Sequence, residues 1–353
     1  MGKDIIRLGV IGLGLTNMGS TMTLLKDVPD LRYKITAMCA LPESAAKETA
    51  SAFGIGFWTT DYRELAARDD VDAVCVYSPD HLHATHCIGA LECGKHVVCT
   101  KPMVTNIEDA KRLVALTREK KVKFMVGQTM RFDRQFYTVK KLFDDGDLGD
   151  LIALESHYNH DMRPVYEMTP WRRAVPQDLM FGGCVHSIDV IRAFGGDVRY
   201  VQAVAARGKM TEGYPIEDNF YINLVFKSGV IGRVSGLYGT VHLPGPMMMF
   251  GVYCSKGSAQ AEFTDNEPGL VKVVLDKLYG LKPLVSRFEA ERDSSVTGHG
   301  ATVIRYMRHF QECLDSGAEP SPGVLDGAKS VAVGVAAWES IKTGKSVEVF
   351  NDF

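Results

Sequence analysis

The stretch IIRLGVIGLGLTNMGS, residues 5–20, decides the fold of this chain. A short apolar run ends in two glycines spaced as Gly-x-Gly, and a segment with helical spacing follows at residues 15–28. In a phosphate-binding turn of this order, Gly12 permits the tight turn and Gly14 lets the backbone approach a pyrophosphate at the helix N-terminus. The ordinary alternative is a glycine turn of any α/β protein. The context of strand, turn and helix favours a dinucleotide site.

Two positions depart from the full dinucleotide fingerprint. A third glycine is expected at position 17, where this chain has Asn17. An acidic residue that holds the adenosine ribose is expected at the end of the second strand, where the chain has Ala40 and Leu41. No carboxylate is present to repel a 2′-phosphate and no arginine to attract one. The pattern therefore predicts NAD or NADP as cofactor and leaves the choice open.

The first 130 residues alternate between apolar runs and helical periodicity. Strands are predicted at 5–11, 33–40, 72–78, 96–100 and 123–129. Helices are predicted at 15–28, 83–93 and 107–121, and another follows the strand at 33–40 and ends near residue 53. Short apolar strands that alternate with helices indicate a parallel sheet covered on both faces. We predict an α/β chain whose residues 1–130 form a Rossmann domain with a doubly wound parallel sheet.

The pattern changes after residue 130. Helices are predicted at 134–145, 183–194, 301–315 and 323–343, a strand at 151–159, and strand-like sequence from 199 to 263 with tight turns at 227–229 and 255–258. A last strand, SVEVF, closes the chain. Closely spaced hairpins are typical of antiparallel pairing. We predict that residues 131–353 form an α+β domain with an open, mostly antiparallel sheet.

Composition and charge exclude several classes of function. With 40 basic and 43 acidic residues the net charge is −3, which lacks the basic excess that nucleic acid or an anionic membrane requires. No apolar run approaches the roughly 18 residues of a membrane span, and the first residues do not resemble a signal peptide. The eight cysteines contain no CxxC pair, so we expect buried thiols and a cytoplasmic protein. His157, His160, Asp161 and His186 lack a recognised ligand spacing, and no metal site is predicted.

Four segments in order carry a family resemblance. They are GLGLTNMG at 12–19, SPDHLHATHCIGALECGKHVVCTKPM at 78–103, GQTMRFD at 127–133 and GGCVHSIDVIRAFGGD at 182–197. The chain resembles the glucose-fructose oxidoreductase / inositol dehydrogenase family of NAD(P)-dependent sugar and cyclitol oxidoreductases. The resemblance covers essentially the whole chain, including residues 326–349, and 78–103 is its most specific part.

The resemblance implies two catalytic residues. Members typically have Glu-Lys-Pro where this chain has Thr100-Lys101-Pro102, and the matching lysine hydrogen-bonds the reacting hydroxyl and the nicotinamide ribose. A second motif, Asp-x-x-x-His-x-x-Asp, matches at His186 and Asp189, but its first position falls on Gly182. Asp178 could replace that carboxylate in space. We therefore predict Lys101 and His186 as the catalytic pair.

The chemistry of these residues supports the assignment. Lys101 follows a parallel strand at the edge where such sheets bind ligands, and burial beside a cationic nicotinamide favours the neutral amine. His186 and Asp189 are spaced i,i+3 on one helix face, and a histidine in a first helical turn favours its neutral form. The ordinary alternatives are a solvated lysine in a turn and a core histidine satisfied by a carboxylate.

Further site residues follow from the resemblance and from their positions at strand ends. The predicted cofactor contacts are Gly12, Leu13, Gly14, Leu15, Thr16, Asn17, Ala40, Leu41, Ser78, Pro79, Asp80, His81, His83, Thr100, Lys101 and Gln128. The predicted substrate contacts are Arg131, Tyr158, Trp171, Arg172, Asp178, His186 and Asp189. A packing role for Tyr158 or Trp171 is an equal alternative, and His86 is predicted to be structural.

Three functions are consistent with the sequence. The first is hydride transfer between a nicotinamide and the carbinol or ketone of a sugar, cyclitol or glycoside. The second is glycoside cleavage by transient oxidation and elimination, and the third is a cofactor-binding regulator without catalysis. The first is favoured because Lys101 and His186 are both present. The resemblance implies that residues 131–353 serve substrate binding and oligomerisation, with a small sugar or polyol as partner and a homo-oligomer, dimer or tetramer. Neither nucleic acid nor membrane is expected as a partner.

Overall fold

A computed structural model describes residues 4–14, 28, 30–169, 172, 175–208, 214–241, 244–263, 269–278, 282–288 and 300–353. The chain divides into two compact units. Unit 1 contains the chain up to Thr129, a later segment that ends at Ala328, and Phe353. Unit 2 contains Met130–Ala290 and Lys329–Asp352.

Unit 1 is built on a parallel sheet of six strands. These are β1 (Ile6–Ile11), β2 (Tyr33–Cys39), β3 (Phe57–Thr59), β4 (Ala73–Val76), β5 (His96–Thr100) and β6 (Phe124–Gly127). Their order is β3-β2-β1-β4-β5-β6, and every pairing is parallel. This is the doubly wound order in which the connection reverses between β1 and β4, and ligands bind outside the carboxyl ends of the strands at that point. The predicted Rossmann sheet is confirmed.

Helices connect these strands. The described ones are α1 (Glu43–Phe53), α2 (Tyr62–Ala66), α3 (His83–Glu92) and α4 (Ile107–Lys120). Helix α4 begins at Asn106, whose side chain accepts a hydrogen bond from the Asp109 N–H and so caps the helix. Strand β3 has three residues and helix α2 has five. The sequence pattern predicts neither of them, because such short elements show no periodicity. The predicted helix at 15–28 lies almost wholly outside the described residues.

Unit 2 is built on a mostly antiparallel sheet of nine strands. These are β7 (Leu151–Asn159), β8 (Val198–Ala206), β9 (Asn219–Phe226), β10 (Ile231–Leu237), β11 (Met248–Cys254), β12 (Gly257–Phe263), β13 (Gly269–Leu275), β14 (Leu284–Phe288) and β15 (Val347–Glu348). Their order is β14-β13-β12-β11-β7-β10-β9-β8-β15. Only β7 and β10 pair in parallel, and the other neighbours are antiparallel. The predicted sheet class and both predicted hairpin turns are confirmed.

One face of this sheet packs against helices. The described helices of unit 2 include α5 (Arg134–Asp144), α6 (Arg163–Met168) and α7 (Val185–Gly195). Phe136 of α5 lies 5.5 Å from the ring of Phe194 of α7 and 5.9 Å from that of Phe250 of β11. Along β9 the alternate residues Phe220 and Ile222 are fully buried, whereas the residues between them face outward. The sheet therefore has one covered face and one open face.

The chain returns to unit 1 near its end. Helix α8 (Gly300–Ser316) packs there, because the Tyr33 hydroxyl donates a 2.8 Å hydrogen bond to the Met307 carbonyl and the Gln311 side chain accepts one from the Arg32 N–H. The division between the units falls between Ala328 and Lys329, inside helix α9 (Val324–Thr343). Periodicity shows that a segment is helical, but it does not show which sheet the helix packs against. The sequence pattern therefore assigns all residues after 130 to one domain.

None of the described helices is long and apolar enough to cross a bilayer.

Candidate functional site

The glycine turn after β1 packs against the end of β4. Gly12 has a φ of +94°, and a Cβ built on it would lie 2.6 Å from the Ser78 backbone nitrogen. A Cβ on Gly14 would lie 2.8 Å from the Tyr77 carbonyl oxygen. Both glycines are therefore required by the neighbouring backbone of this chain, in addition to the approach of a phosphate that the sequence suggested.

The residues around this turn separate into buried and exposed groups. Leu13 packs against the apolar cluster that contains Met38 and Ala40, so its side chain is turned into unit 1. Ala40 is buried, whereas Leu41 is 76% exposed just after β2. The predicted cofactor contacts Leu15, Thr16 and Asn17 lie outside the described residues.

Three histidines surround the turn after β4. His81 is exposed, and His83 is completely buried. His83 Nε2 lies 2.8 Å from the Ser78 carbonyl oxygen, and His83 Nδ1 lies 2.6 Å from the Pro102 carbonyl oxygen. The Ser78 hydroxyl is 2.8 Å from His86 Nδ1. Burial, with His83 and His81 nearby, lowers the pKa of His86 to about 4, which agrees with the structural role predicted for it.

Lys101 stands at the carboxyl edge of the same sheet. It directly follows β5 and is partly exposed, and it precedes the buried Pro102 across a cis peptide bond. The end of β6 lies close by, since a Cβ on Gly127 would be 3.1 Å from the Thr100 Cα. The structure thus brings the ends of β1, β4, β5 and β6, with their predicted cofactor residues, to one edge of the sheet.

Gln128 gives an independent indication of a ligand at this edge. It follows β6 and is only 1% exposed. Neither its amide nitrogen nor its amide oxygen has a hydrogen-bond partner among the described residues. A buried amide without partners costs about 1–3 kcal/mol, so such groups usually have a ligand or water to satisfy them. A carboxamide or ribose hydroxyl of a nicotinamide cofactor provides the donors and acceptors that Gln128 lacks, so the residues fit this group.

In unit 2, Asp178 holds the start of a helical segment. Its Oδ1 accepts a 2.9 Å hydrogen bond from the Met180 N–H, and its Oδ2 accepts a 2.8 Å hydrogen bond from the Trp338 indole. The backbone forms five residues of π-helix at Met180–Cys184 and continues directly into α7. His186 therefore does not lie at a free helix N-terminus, and the helix-dipole argument made for it from the sequence loses its basis.

Glycines allow this π-helical segment to pack. A Cβ on Gly183 would lie 2.2 Å from the Tyr238 ring and hydroxyl, whereas the nearest atoms to a Cβ on Gly182 would belong to the Gln177 side chain, at 2.8 Å. Tyr238 is buried, and its hydroxyl lies 3.7 Å from Cys184 Sγ. The glycine at position 183 is thus a packing requirement that positions the following helix.

His186 lies in an aromatic cluster at the end of β7. The Tyr158 ring makes edge contacts with His186 at 5.8 Å and with Tyr238 at 5.6 Å. Tyr158 also stacks on His160 at 5.7 Å, with its hydroxyl 3.3 Å from His160 Nδ1. The structure therefore brings together the predicted residues Tyr158 and His186. It adds His160 and Tyr238, which the sequence analysis did not include in the site.

Asp189, one turn after His186, forms a buried ion pair with Arg131. The guanidinium donates to the two carboxylate oxygens at 2.6 and 2.7 Å, and the side chains are 10% and 1% exposed. Ser330 of α9 extends the network, because its hydroxyl lies 3.4 Å from Asp189 Oδ1 and accepts a 3.0 Å hydrogen bond from Arg192. The two predicted substrate contacts Arg131 and Asp189 thus bind each other.

Two predicted substrate contacts, Arg172 and Trp171, remain to be placed. The Arg172 Nε donates a 2.9 Å hydrogen bond to the Gln177 side chain, and Trp171 lies outside the described residues. Over the part of the chain that the structure describes, no group of three or more His, Cys, Asp or Glu side chains could hold a metal ion.

Comparisons with known proteins agree with this architecture. A family model described as an oxidoreductase family with an NAD-binding Rossmann fold matches residues 6–128, and the model of its C-terminal alpha/beta domain matches residues 140–349. The myo-inositol 2-dehydrogenase of Thermotoga maritima is 26% identical over 98% of both chains. The scyllo-inositol 2-dehydrogenase (NAD(+)) of Bacillus subtilis is 24% identical over 98% of this chain and 96% of its own.

Solved structures show the same fold. A levoglucosan dehydrogenase in complex with NADH superimposes with a TM-score of 0.86 at 20% identity, covering 99% of this chain and 100% of its own. This likeness concerns the fold alone.

Proposed function

The chain belongs to the Gfo/Idh/MocA oxidoreductase family, with its NAD-binding Rossmann fold and C-terminal alpha/beta domain, and on this premise we propose a specific activity. The protein transfers a hydride between a nicotinamide cofactor and the CH–OH or C=O group of a sugar or cyclitol. NAD is the cofactor favoured here, because the matching family model is that of an NAD-binding Rossmann fold.

One observation carries the proposal. The glycine turn, Lys101 and the buried Gln128 amide, which has no partner among the described residues, lie at the same carboxyl edge of a doubly wound sheet. Doubly wound sheets bind dinucleotides at this edge. Three features coincide there: glycines that leave room beside the backbone, a buried amide without a hydrogen-bond partner among the described residues, and a lysine side chain.

The residues have separate tasks in the proposed reaction. A bound nicotinamide supplies the hydride chemistry. Lys101 Nζ, as the neutral amine, accepts the proton of the substrate hydroxyl during oxidation and returns it during reduction. Gln128 binds the cofactor through its amide.

We assign the substrate side of the reaction to unit 2. His186 is 7% exposed, and the packing of Gly183 against Tyr238 positions the helix that carries it. In the proposal the His186 ring binds the substrate through a hydrogen bond, and Tyr158 supplies an aromatic face for a sugar ring. The Arg131–Asp189 pair keeps α7 in place, so Asp189 acts as a positioning residue rather than as a direct ligand.

The activity is tested with a panel of aldoses, inositols and anhydrosugars, supplied with NAD or NADP and followed by the absorbance of the reduced nicotinamide. We expect substrate-dependent reduction with NAD by at least one polyol. A cofactor that binds but is never reduced by any of them contradicts the dehydrogenase. Mass analysis of incubated glycosides then distinguishes cleavage by transient oxidation from a regulator without catalysis.

Replacing Gln128 with leucine tests the cofactor site directly. We expect Kd for NAD to rise about tenfold, which corresponds to the loss of about 1.4 kcal/mol of binding free energy. The free energy of unfolding without cofactor should stay equal or increase, because the leucine removes a buried amide that has no partner among the described residues. Fluorescence titration and urea unfolding measure the two quantities.

A matched control for this variant is Gln260→Leu in β12, since the Gln260 side chain already donates a 2.8 Å hydrogen bond to Glu262 in unit 2. That change should leave Kd for NAD unaltered. Unchanged affinity in Gln128→Leu contradicts the assignment of Gln128 as a cofactor ligand.

We further propose that the open face of the nine-stranded sheet is the surface of a homo-oligomer. Cross-strand neighbours on that face are apolar and exposed: Val204 beside Tyr221, and Val225 beside Ile231. Contiguous exposed apolar residues of this kind indicate a protein interface. Sedimentation analysis of the wild type and of Tyr221→Glu is expected to show an assembly that the charge weakens, and a monomeric wild type contradicts it.

A further inference from the structure

We propose that His83 is an imidazolium at neutral pH, buried beneath the cofactor edge, that ties the backbone after β4 to the backbone after β5 and thereby positions Lys101. The inference deepens the proposed function, and only its catalytic consequence rests on that function. The protonation state itself is a property of unit 1.

The geometry of the ring carries this inference. A neutral imidazole has one N–H donor and one nitrogen lone pair, whereas an imidazolium has two donors. Both His83 nitrogens face carbonyl oxygens, of Ser78 at 2.8 Å and of Pro102 at 2.6 Å, and a carbonyl oxygen can only accept. A neutral ring would hold one lone pair against another at hydrogen-bonding distance. Two hydrogen bonds form only when both nitrogens carry a proton.

The surroundings of the ring favour the charge. Although burial opposes it, the Cys99 sulfur, the Asp80 carboxylate and the Pro102 carbonyl raise the pKa of His83 to about 9. Burial raises the pKa of the Cys99 thiol well above its usual value, whereas the nearby His83 lowers it.

Other titratable groups near the ring are consistent with one positive charge. His86 lies on the same helix, and the nearby His83 contributes to the lowering of its pKa. The Ser78 hydroxyl can then donate to the neutral His86 Nδ1 while the Ser78 carbonyl accepts from His83. Cys87 of α3 lies beside Cys99 and adds to the rise in the pKa of that thiol. Two histidines in opposite protonation states thus hold Ser78 in place.

The position of His83 explains why this charge matters for the site. Ser78 is the residue on which the glycine turn packs, since a Cβ at Gly12 would lie 2.6 Å from the Ser78 nitrogen. Pro102 directly follows Lys101. One buried ring therefore connects the backbone beneath the glycine turn with the backbone that presents the lysine. His83 does this without exposing any of its own surface.

The first experiment examines the wild type by long-range ¹H–¹⁵N NMR of histidine-labelled protein between pH 6 and pH 10. At pH 8 both His83 ring nitrogens should be protonated, while His86 and His96, whose pKa values are lowered, should be neutral and serve as internal references. The His83 signals are assigned through their loss in His83→Gln or, if that variant does not fold, through contacts with neighbouring protons. An unprotonated His83 nitrogen at pH 8 overturns the proposal.

The second experiment uses His83→Gln, whose amide can donate to one carbonyl at most in this position. Because the folded pKa of about 9 lies above that of an unfolded histidine, the stabilisation is complete at low pH and is lost as the pH rises through 9. The difference in unfolding free energy between wild type and variant should therefore shrink from pH 6 to pH 10. A difference that is constant with pH indicates a packing role only and contradicts the proposal.

The catalytic consequence is measured separately. We expect kcat of His83→Gln to fall about 10- to 100-fold, since displacement of a catalytic group by about 1 Å has effects of this size. The matched control is His96→Gln at the opposite end of β5, where His96 Nδ1 accepts a 2.9 Å hydrogen bond from the Lys123 N–H that glutamine can also accept. If no substrate is turned over, the proposed function fails, but the NMR and pH results still decide the state of His83.

Discussion

Replacing Lys101 with alanine is expected to lower kcat about 100- to 10,000-fold, because the variant loses the group that accepts the substrate proton. Cofactor affinity should stay close to that of the wild type, since the glycine turn and Gln128 are unchanged. Steady-state kinetics with the best substrate of the panel and a fluorescence titration with NAD measure the two effects. Small primary amines added to the variant should restore part of the rate.

The control for this variant is Lys95→Ala. Lys95 precedes the same strand at its opposite end and donates a 2.7 Å hydrogen bond to the Arg68 carbonyl, so the two changes remove the same charge from the two ends of β5. Lys95→Ala should retain turnover. Equal turnover in Lys101→Ala and the wild type shows that another residue moves the proton.

Breaking the Arg131–Asp189 pair should produce the largest loss of stability. Arg131→Ala leaves a carboxylate that is 1% exposed without its guanidinium, and removal of one partner of a buried pair costs about 3–5 kcal/mol. We expect the free energy of unfolding to fall by this amount in urea. The loss arises from the charge left behind, so Arg131→Met combined with Asp189→Leu should be more stable than Arg131→Ala alone.

An exposed pair provides the comparison. Lys141 of α5 and Asp145, the residue that follows this helix, are four residues apart. Lys141 Nζ and Asp145 Oδ2 are separated by 2.7 Å, and both side chains are exposed. Lys141→Ala should cost only about 0.3–0.5 kcal/mol. Similar losses in Arg131→Ala and Lys141→Ala contradict the view that the buried pair holds α7 in place.

The secondary structure of this chain is largely visible in its sequence. The runs that form β1, β4 and β5 are mostly apolar because parallel strands are buried on both faces, and the alternation along β9 appears because one face of its sheet is open. The glycines of the turn after β1 indicated a Rossmann fold, and Lys101 and His186 were identified by their place in known motifs.

The partners of the site residues are not visible in the sequence. Asp189 was assigned to a substrate, yet it binds Arg131, 58 residues away along the chain. The two carbonyls that His83 contacts belong to Ser78 and Pro102. In the sequence, Ser78 precedes helix α3 and Pro102 follows strand β5. Asp178 holds the indole of Trp338, 160 residues away. None of these pairs has a spacing that a pattern could detect.

The difference has a physical origin. Periodicity records which surface each residue faces, solvent or core, and this depends on local geometry that repeats every two residues in a strand and every 3.6 in a helix. The sequence by itself therefore determined most of the strands and helices and the two kinds of sheet. Whether a buried histidine is charged, which carboxylate is neutralised, and which sheet α8 covers depend on groups brought together from distant parts of the chain, and only the tertiary structure decided them.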